Sequence, residues 1–320
     1  MSSPALSVRN LRIKYGDHVA VDSVDLDVFP GEIFGLLGPN GSGKSSILAA
    51  VAGCVGSTSG TITLAGETRQ LDPTAFASRL GYVAQEPALY DELSVRDNLR
   101  FFGSLYDLPE SILKYRVQRC LERVGLEGRS KSAVGSLSGG LKRRAHVAAA
   151  LLHDPKVLLL DEPTAALDAD SRDRLLALLG DLRDEGRAVV LTTHLLDEAE
   201  QWCDRVAVVR FGKLIAEGKP AELARPKLDR CLMYGHLHDH LPAGVEVMLR
   251  ERMPEGVRLE LTGRRVRLAS PDNDRLAAAL TVLLSEGVSL DSFRTPPGGL
   301  ERLMSNAPVM RGVSCDVRSA

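Results

Sequence analysis

Apolar and polar residues alternate in short runs from Leu6 to Asp27, interrupted by turn residues at Tyr15-Gly16-Asp17, and this predicts antiparallel strands. Ile33 to Leu37 is apolar throughout, the pattern of a strand buried on both faces. Thr61 to Leu64 repeats the strand signal and turns at Ala65-Gly66. From about Glu92 to Val124 the period becomes helical, with Val95, Leu99, Phe102, Leu105, Ile112, Val117, Leu121 and Val124 marking apolar faces. A second helical stretch runs from Leu137 to Leu152 and opens in Ser-Gly-Gly. Val157 to Leu160 predicts a central parallel strand, Ser171 to Leu182 an amphipathic helix and Ala188 to Thr192 another buried strand. Leu195 to Cys203 predicts a helix, and Val206 to Ile215 a hairpin turning at Phe211-Gly212. Buried strands alternating with helices imply an α/β domain whose mainly parallel sheet is covered on both faces.

After Pro220 the pattern changes. Pro226 and Pro242 bracket a linker-like stretch. Beyond it Val257 to Leu261 alternates, turns at Thr262-Gly263 and returns through Val266 to Leu268. A helix is predicted to start at Ser270-Pro271-Asp272, with a capping residue and Pro at its first position, and to stop at Gly287. The organisation read from these shifts is a large domain over 1–225, with a mostly helical part at about 86–155, and a linker over 226–240. A small α+β accessory domain over 241–306 and a tail over 307–320 complete it.

With 320 residues the chain has room for that arrangement. A formal net charge of -2 gives no reason to expect nucleic acid as a bulk electrostatic partner. The five cysteines, Cys54, Cys120, Cys203, Cys231 and Cys315, are widely spread without a C-x-x-C pair, which suits a reducing cytosol better than a disulfide framework. Charges break every apolar run well short of the roughly 18 residues a spanning helix needs, so a membrane role requires a partner to supply the membrane part.

The chemistry is carried first by Gly38-Pro39-Asn40-Gly41-Ser42-Gly43-Lys44-Ser45, which fits G-x-x-x-x-G-K-[ST] between a predicted strand and a helix beginning near Ser46. Such a loop turns backbone N–H groups toward a phosphate at a helix N-terminus. Lys44 can reach the terminal phosphates and the Ser45 hydroxyl can take a Mg²⁺ position. Asp161, at the end of an apolar strand, stands where an acid would hold Mg²⁺, and Glu162 beside it is a candidate general base for water. Ser138 reads as a helix N-cap, but Gly139-Gly140 after it also admits close approach of an anion from another molecule. His194, beyond the strand Ala188 to Thr192, is a candidate γ-phosphate sensor. Tyr15 suits either a half-buried strand-end aromatic or a ligand-stacking ring. Cys231, His236, His238 and His240 have spacing that suits a transition metal and equally a polar linker.

Taken in order, Tyr15, the loop Gly38 to Ser45, Gln85, Leu137-Ser138-Gly139-Gly140, Leu160-Asp161-Glu162-Pro163, Ala166-Leu167-Asp168 and His194 resemble an ABC transporter nucleotide-binding domain over about Leu6 to Ala224. The resemblance implies a P-loop NTPase fold of ABC type, with an antiparallel β subdomain and a helical insert, that binds and hydrolyses ATP with Mg²⁺. It implies that the loop and Ser46 contact nucleotide, that Tyr15 stacks on adenine, and that Ser45, Gln85 and Asp161 hold the metal. Glu162, His194 and Lys44 would serve hydrolysis. It further implies a head-to-tail dimer, Ser138-Gly139-Gly140 of one subunit closing over the other's loop and Asp168 touching the opposite subunit. A separate permease would complete the transporter, with this subunit peripheral on the cytoplasmic face of the membrane. The segment Pro87 to Leu99 with Phe101-Phe102-Gly103, and Ser138 to Arg144, resemble the exporter branch of daunorubicin-type resistance and nodulation-factor export ATPases. Leu141 departs from the broad family, which has Gln there, and Ser289 to Phe293 resembles that branch's tail faintly, with Pro296-Pro297-Gly298-Gly299 departing from it. Soluble ABC-type ATPases of DNA maintenance or translation share these motifs. The former insert long heptad helices where this chain has only about 95 residues without sustained heptads, and the latter usually carry two such domains.

Overall fold

The computed structural model describes residues 3–69, 71–224, 231–239, 241 and 244–294. These fall into two compact units divided after Glu222.

In the first unit β1 (Leu6–Tyr15), β2 (His18–Val28), β3 (Ile33–Leu37), α1 (Lys44–Ala52), β4 (Ser59–Leu64) and β5 (Glu67–Thr68) are followed by α2 (Pro73–Ala77) and β6 (Leu80–Val83). Next come α3 (Val95–Ser104), α4 (Glu110–Val124), α5 (Gly139–Leu151), β7 (Val157–Leu160), α6 (Ala169–Asp184), β8 (Ala188–Thr193), α7 (Leu196–Trp202), β9 (Arg205–Arg210), β10 (Lys213–Gly218) and α8 (Pro220–Ala224). One sheet has the order β2-β1-β4-β5 and the other β10-β9-β3-β8-β7-β6. Pairing is antiparallel in the first, and parallel in the second except where β10 meets β9.

Strand β1 shows how a broken alternation still makes a strand. Leu6, Val8, Leu11 and Ile13 are all buried, yet the spacing steps by three at Asn10. Asn10 takes φ 50, its N–H donates to Asp25 Oδ1 at 2.7 Å, and the pairing register shifts there. The extra residue returns the apolar side chains to one face, which is what a bulge does. Those side chains join Phe34 and Leu36 of β3, Leu159 of β7 and Val190 of β8 in one core. Helix α1 enters the same core with Ile47, Leu48 and Val51, touching β2 of one sheet and β7 of the other. Each such fully buried side chain contributes roughly 1.5–3 kcal/mol.

Parallel pairing gathers the chemistry at one edge. Leu37 is level with Thr193, and Val83 with Leu160, so the segments leaving β3, β6, β7 and β8 emerge together at the carboxyl end of the sheet. Strand β6, one of the four, was not expected from the short Leu80–Val83 run; its partner β7 draws it into the sheet.

The second unit contains β11 (Cys231–Leu237), α9 (Val245–Arg252), β12 (Arg258–Thr262), β13 (Arg265–Ser270), α10 (Asn273–Ser285) and β14 (Leu290–Arg294). The sheet order β12-β13-β11-β14, antiparallel throughout, makes a split β-α-β-β-α-β unit. Met233, Leu237, Leu249, Leu259, Val266, Leu268, Ala279 and Leu283 form its core. Two expectations need correction. Cys231–Leu237 lies in the stretch read as linker, but it pairs with both β13 and β14 and is a central strand. The cap of α10 is Asp272, whose side chain accepts from the Arg275 N–H; Pro271 precedes the cap and Ser270 ends β13. Residue 225 of the expected large domain, 226–230 and 240 of the expected linker, 242–243 and 295–306 of the accessory domain with Pro296 to Gly299, and the tail 307–320 lie outside the described residues.

Candidate functional site

The loop between β3 and α1 is shaped by glycines that have no room for a side chain. A Cβ on Gly38 would lie 2.3 Å from the Val209 carbonyl oxygen, and one on Gly43 would lie 2.6 Å from that of Ala20. Gly43 is also the N-cap of α1 at φ 107 and offers no side-chain oxygen, so the first N–H groups of this helix have no side-chain cap. The Ser42 N–H donates to Pro39 O at 3.2 Å, and the Gly212 N–H donates to Ser42 O at 2.9 Å, which ties the loop to the β9–β10 turn. Lys44 folds back over the loop, its Nζ donating to the carbonyls of Gly38 at 2.8 Å and Pro39 at 3.1 Å. Burial draws its pKa down, and the carboxylates of Glu162 and Asp161 oppose that shift. Among the described residues the buried Ser42 Oγ has no hydrogen-bond partner. Asn40 and Gly41 are exposed at the loop tip.

Behind the loop a polar chain joins three strand ends. Ser45 Oγ donates to Asp161 Oδ1 at 3.0 Å, and Thr192 Oγ1 donates to the same oxygen at 2.6 Å. The Glu162 N–H donates to Thr192 Oγ1 at 2.8 Å. The Asp161 N–H donates to Val83 O at 2.9 Å, extending the tie to β6. Glu162 has φ 42, an uncommon conformation for a side-chain-bearing residue, and its Oε1 lies 3.4 Å from His194 Nδ1. Thr164 and Thr193 both donate to Glu198 Oε2, at 2.9 and 3.0 Å, and brace the turns that carry Glu162 and His194.

Two further expected residues flank this cluster. Tyr15 is half exposed, with its hydroxyl 3.5 Å from Ser46 Oγ. Gln85 is exposed just beyond β6, and the buried Arg143 of α5 donates to its carbonyl and to that of Ala84, the latter at 2.6 Å.

Ser138, Gly139, Gly140 and Asp168 assemble elsewhere. Ser138 caps α5 with Leu141 N–H donating to its Oγ at 3.5 Å, and Ser138 and Gly139 are exposed. A Cβ on Gly140 would lie 2.6 Å from Ser171 Oγ. Ser171 in turn donates to Asp168 through both N–H and Oγ at 2.9 Å, and those donations hold the Asp168 carboxylate below its ordinary pKa. Among the described residues no hydrogen bond or ion pair joins this group to the Gly38–Ser45 loop. Thr192, Arg143, Ser171 and Glu198 were not foreseen as site residues. The one legible signal was for Thr192, a hydroxyl directly after the apolar run Ala188 to Leu191.

Of the spaced Cys231, His236, His238 and His240 set, His240 lies outside the described residues. His238 Nδ1 sits 2.6 Å from Asp291 Oδ1, which raises the histidine's pKa by hydrogen bonding. Among the described residues no group of three or more His, Cys, Asp or Glu side chains is placed to hold a metal.

A glycine loop leading into an uncapped helix, with lysine, serine and a strand-end Asp-Glu pair converging on it, defines a P-loop nucleotide-binding protein. The ABC transporter family model matches residues 21–165. The chain is 44% identical over 218 residues to the Nod factor export ATP-binding protein I of Cupriavidus metallidurans, covering 68% of this chain and 72% of the relative. It is 38% identical, also over 218 residues, to the linearmycin resistance ATP-binding protein LnrL of Bacillus subtilis, covering 68% and 70%. A dimeric ATP-binding cassette solved in a post-hydrolysis state with ADP and Pi superimposes with a TM-score of 0.61 at 26% identity, covering 67% of this chain and 98% of that one. This chain belongs to the ABC transporter family. It is an ATP-binding and ATP-hydrolysing subunit that energises transport through a separate permease. No helix among the described residues is long and apolar enough to cross a membrane.

Proposed function

We propose that the chain powers export by closing, as a pair of copies, around ATP held on the Gly38–Ser45 loop. The observation that carries this reading is the chain Ser45–Asp161–Thr192–Glu162, which gathers a phosphate loop, an acid and a candidate base at one sheet edge. The crowded Gly38 and Gly43 and the unpartnered Ser42 hydroxyl suit phosphate oxygens. Lys44, whose contacts are to loop carbonyls, exchanges them for the terminal phosphates, while Tyr15 stacks on adenine beside Ser46.

Ser45 Oγ and the Asp161 carboxylate are hard oxygen donors that fit Mg²⁺, with Gln85 as a further donor. When bound, the ion neutralises charge on the phosphoryl group being transferred. Glu162 accepts the proton of the attacking water, and His194 beside it holds the carboxylate and the γ-phosphate in register. Ser138-Gly139-Gly140 of the second copy presents its exposed helix end to the γ-phosphate, and Asp168 meets the opposite subunit. The two relatives named for Nod factor export and linearmycin resistance, together with the Pro87 to Leu99 resemblance, support export of a drug, lipid-like or polysaccharide-like compound. The permease would hold the subunit on the cytoplasmic face of the membrane.

Glu162→Gln tests the reading. It is expected to bind ATP, to turn over about 10²- to 10⁴-fold more slowly, and to elute as a dimer on size-exclusion chromatography with ATP. A Glu162→Gln chain that stays monomeric with ATP counts against the sandwich.

A further inference from the structure

At the opposite, amino-terminal edge of the parallel sheet, where chain enters β7 and β8, α4 and the ends of α5 and α6 enclose a cavity of about 370 Å³ lined by four arginines. Asp154 and Glu185 also line it, so four guanidinium charges face two carboxylates. The carboxylates serve only part of the set. Arg187 pairs with Asp154 at 2.6 Å and lies 3.5 Å from Glu185, which also takes Arg123. Arg116 donates to the Leu152 carbonyl at 2.9 Å, and Arg119 donates to the Tyr115 hydroxyl at 3.3 Å and lies over that ring. Among the described residues neither of these two forms an ion pair with a carboxylate, although Asp154, held below the ordinary carboxylate range against burial chiefly by Arg187, is also near enough to feel Arg116. Cys120 does not neutralise them as a thiolate, because burial pushes its thiol up to about 11 despite the four arginines around it. Arg123 is pulled down chiefly by burial and then by Arg187 and Arg119, so the guanidinium groups are close enough to repel one another. Like charges gathered in a recess favour an anion that they share.

We propose that this cavity is a second anion site, distinct from the nucleotide loop, that takes a small phosphate-bearing compound. Arg116 and Arg119 supply the charge that no ion pair takes up, Arg123 and Arg187 complete the ring of donors, and Tyr115 covers an organic portion. Arginine suits this ligand because its planar fork matches two phosphate oxygens at once.

The test is calorimetric titration of inorganic pyrophosphate, without added nucleotide, into the full Lys44→Ala chain, whose phosphate loop is disabled, with the further variants made in that background. One site per chain is expected. Arg116→Gln with Arg119→Gln should weaken it by about tenfold or more. Asp154→Asn removes a competing carboxylate while keeping a residue that tolerates the φ 63 found there, and it should tighten binding several-fold, a gain that misfolding does not mimic. No heat with the Lys44→Ala chain, unchanged binding when Arg116→Gln and Arg119→Gln are added, or no gain with Asp154→Asn overturns the proposal. Flotation with phosphatidylglycerol vesicles, against phosphatidylcholine, separates the sources of the phosphate. Arginine-dependent flotation assigns it to a lipid headgroup, and pyrophosphate binding without flotation assigns it to a soluble ester.

Discussion

Helices α1 and α5 both start from a small N-cap residue, and both N-termini suit an anion, yet the chain builds them differently. At α1 the cap is Gly43, without a side chain to bond the first N–H groups, and the lysine and serine of the first turn are tied to carbonyls and to Asp161 of the same chain. At α5 the cap is Ser138, whose own hydroxyl accepts from Leu141 N–H, and Ser138 and Gly139 face solvent. Ser45 in the first turn of α1 bonds the strand-end acid Asp161, while at α5 Ser171, bonded to Asp168, lies close against Gly140. An N-terminus without a side-chain cap and with converging side chains can grip phosphate alone. One already capped and turned outward contributes only when another surface is brought to it. Under the proposed function the contrast separates nucleotide binding from hydrolysis, and substitutions at the two ends should fail in different ways.

The largest effect is expected from Lys44→Ala, which should abolish ATP binding or weaken it by about 100-fold or more in equilibrium titration of the isolated chain. Retained affinity would show that the backbone of the loop is enough. Ser138→Ala should leave binding to the monomer nearly unchanged and reduce turnover by roughly ten- to 100-fold, read from single-turnover kinetics. Equal activity in that variant makes Ser138 a helix cap and nothing more. His194→Ala should lower turnover about tenfold or more with ATP binding preserved, and an unchanged rate removes His194 from the mechanism. The smallest effect belongs to Thr192→Val, which removes the donor to Asp161 and the acceptor for the Glu162 N–H. Urea unfolding should show a loss of about 1–3 kcal/mol, with a fall in turnover alongside it. A stable, fully active Thr192→Val chain would mean that the Ser45 contact suffices to place Asp161.

Much of the first unit was readable because its signals are local. A run such as Ile33 to Leu37 or Val157 to Leu160 must be buried on both faces, and a glycine loop at the end of the former needs no distant residue to announce itself. The Asp161-Glu162 pair was legible for the same reason. Arg143 was not, since nothing in its neighbourhood along the chain says that it will clamp the Ala84 and Gln85 carbonyls 59 and 58 residues away. Thr192 looked like part of a strand until its hydroxyl was seen to serve both acids. In the second unit β11 carries Gly235 and lies beyond a proline, yet it becomes a central strand because β13 and β14 both need a partner.

Composition, period and motif spacing were enough for the fold class, and they marked the Gly38–Ser45 loop and the acid at the end of β7 as candidates, because hydrophobic burial and turn chemistry act over a few residues. The long-range choices came with tertiary contact: the parallel register that brings Gly38, Gln85, Asp161 and His194 to one edge, the hydroxyl of Thr192 between two acids, and the separate exposure of Ser138. Those depend on which strands lie side by side, and no local pattern encodes that.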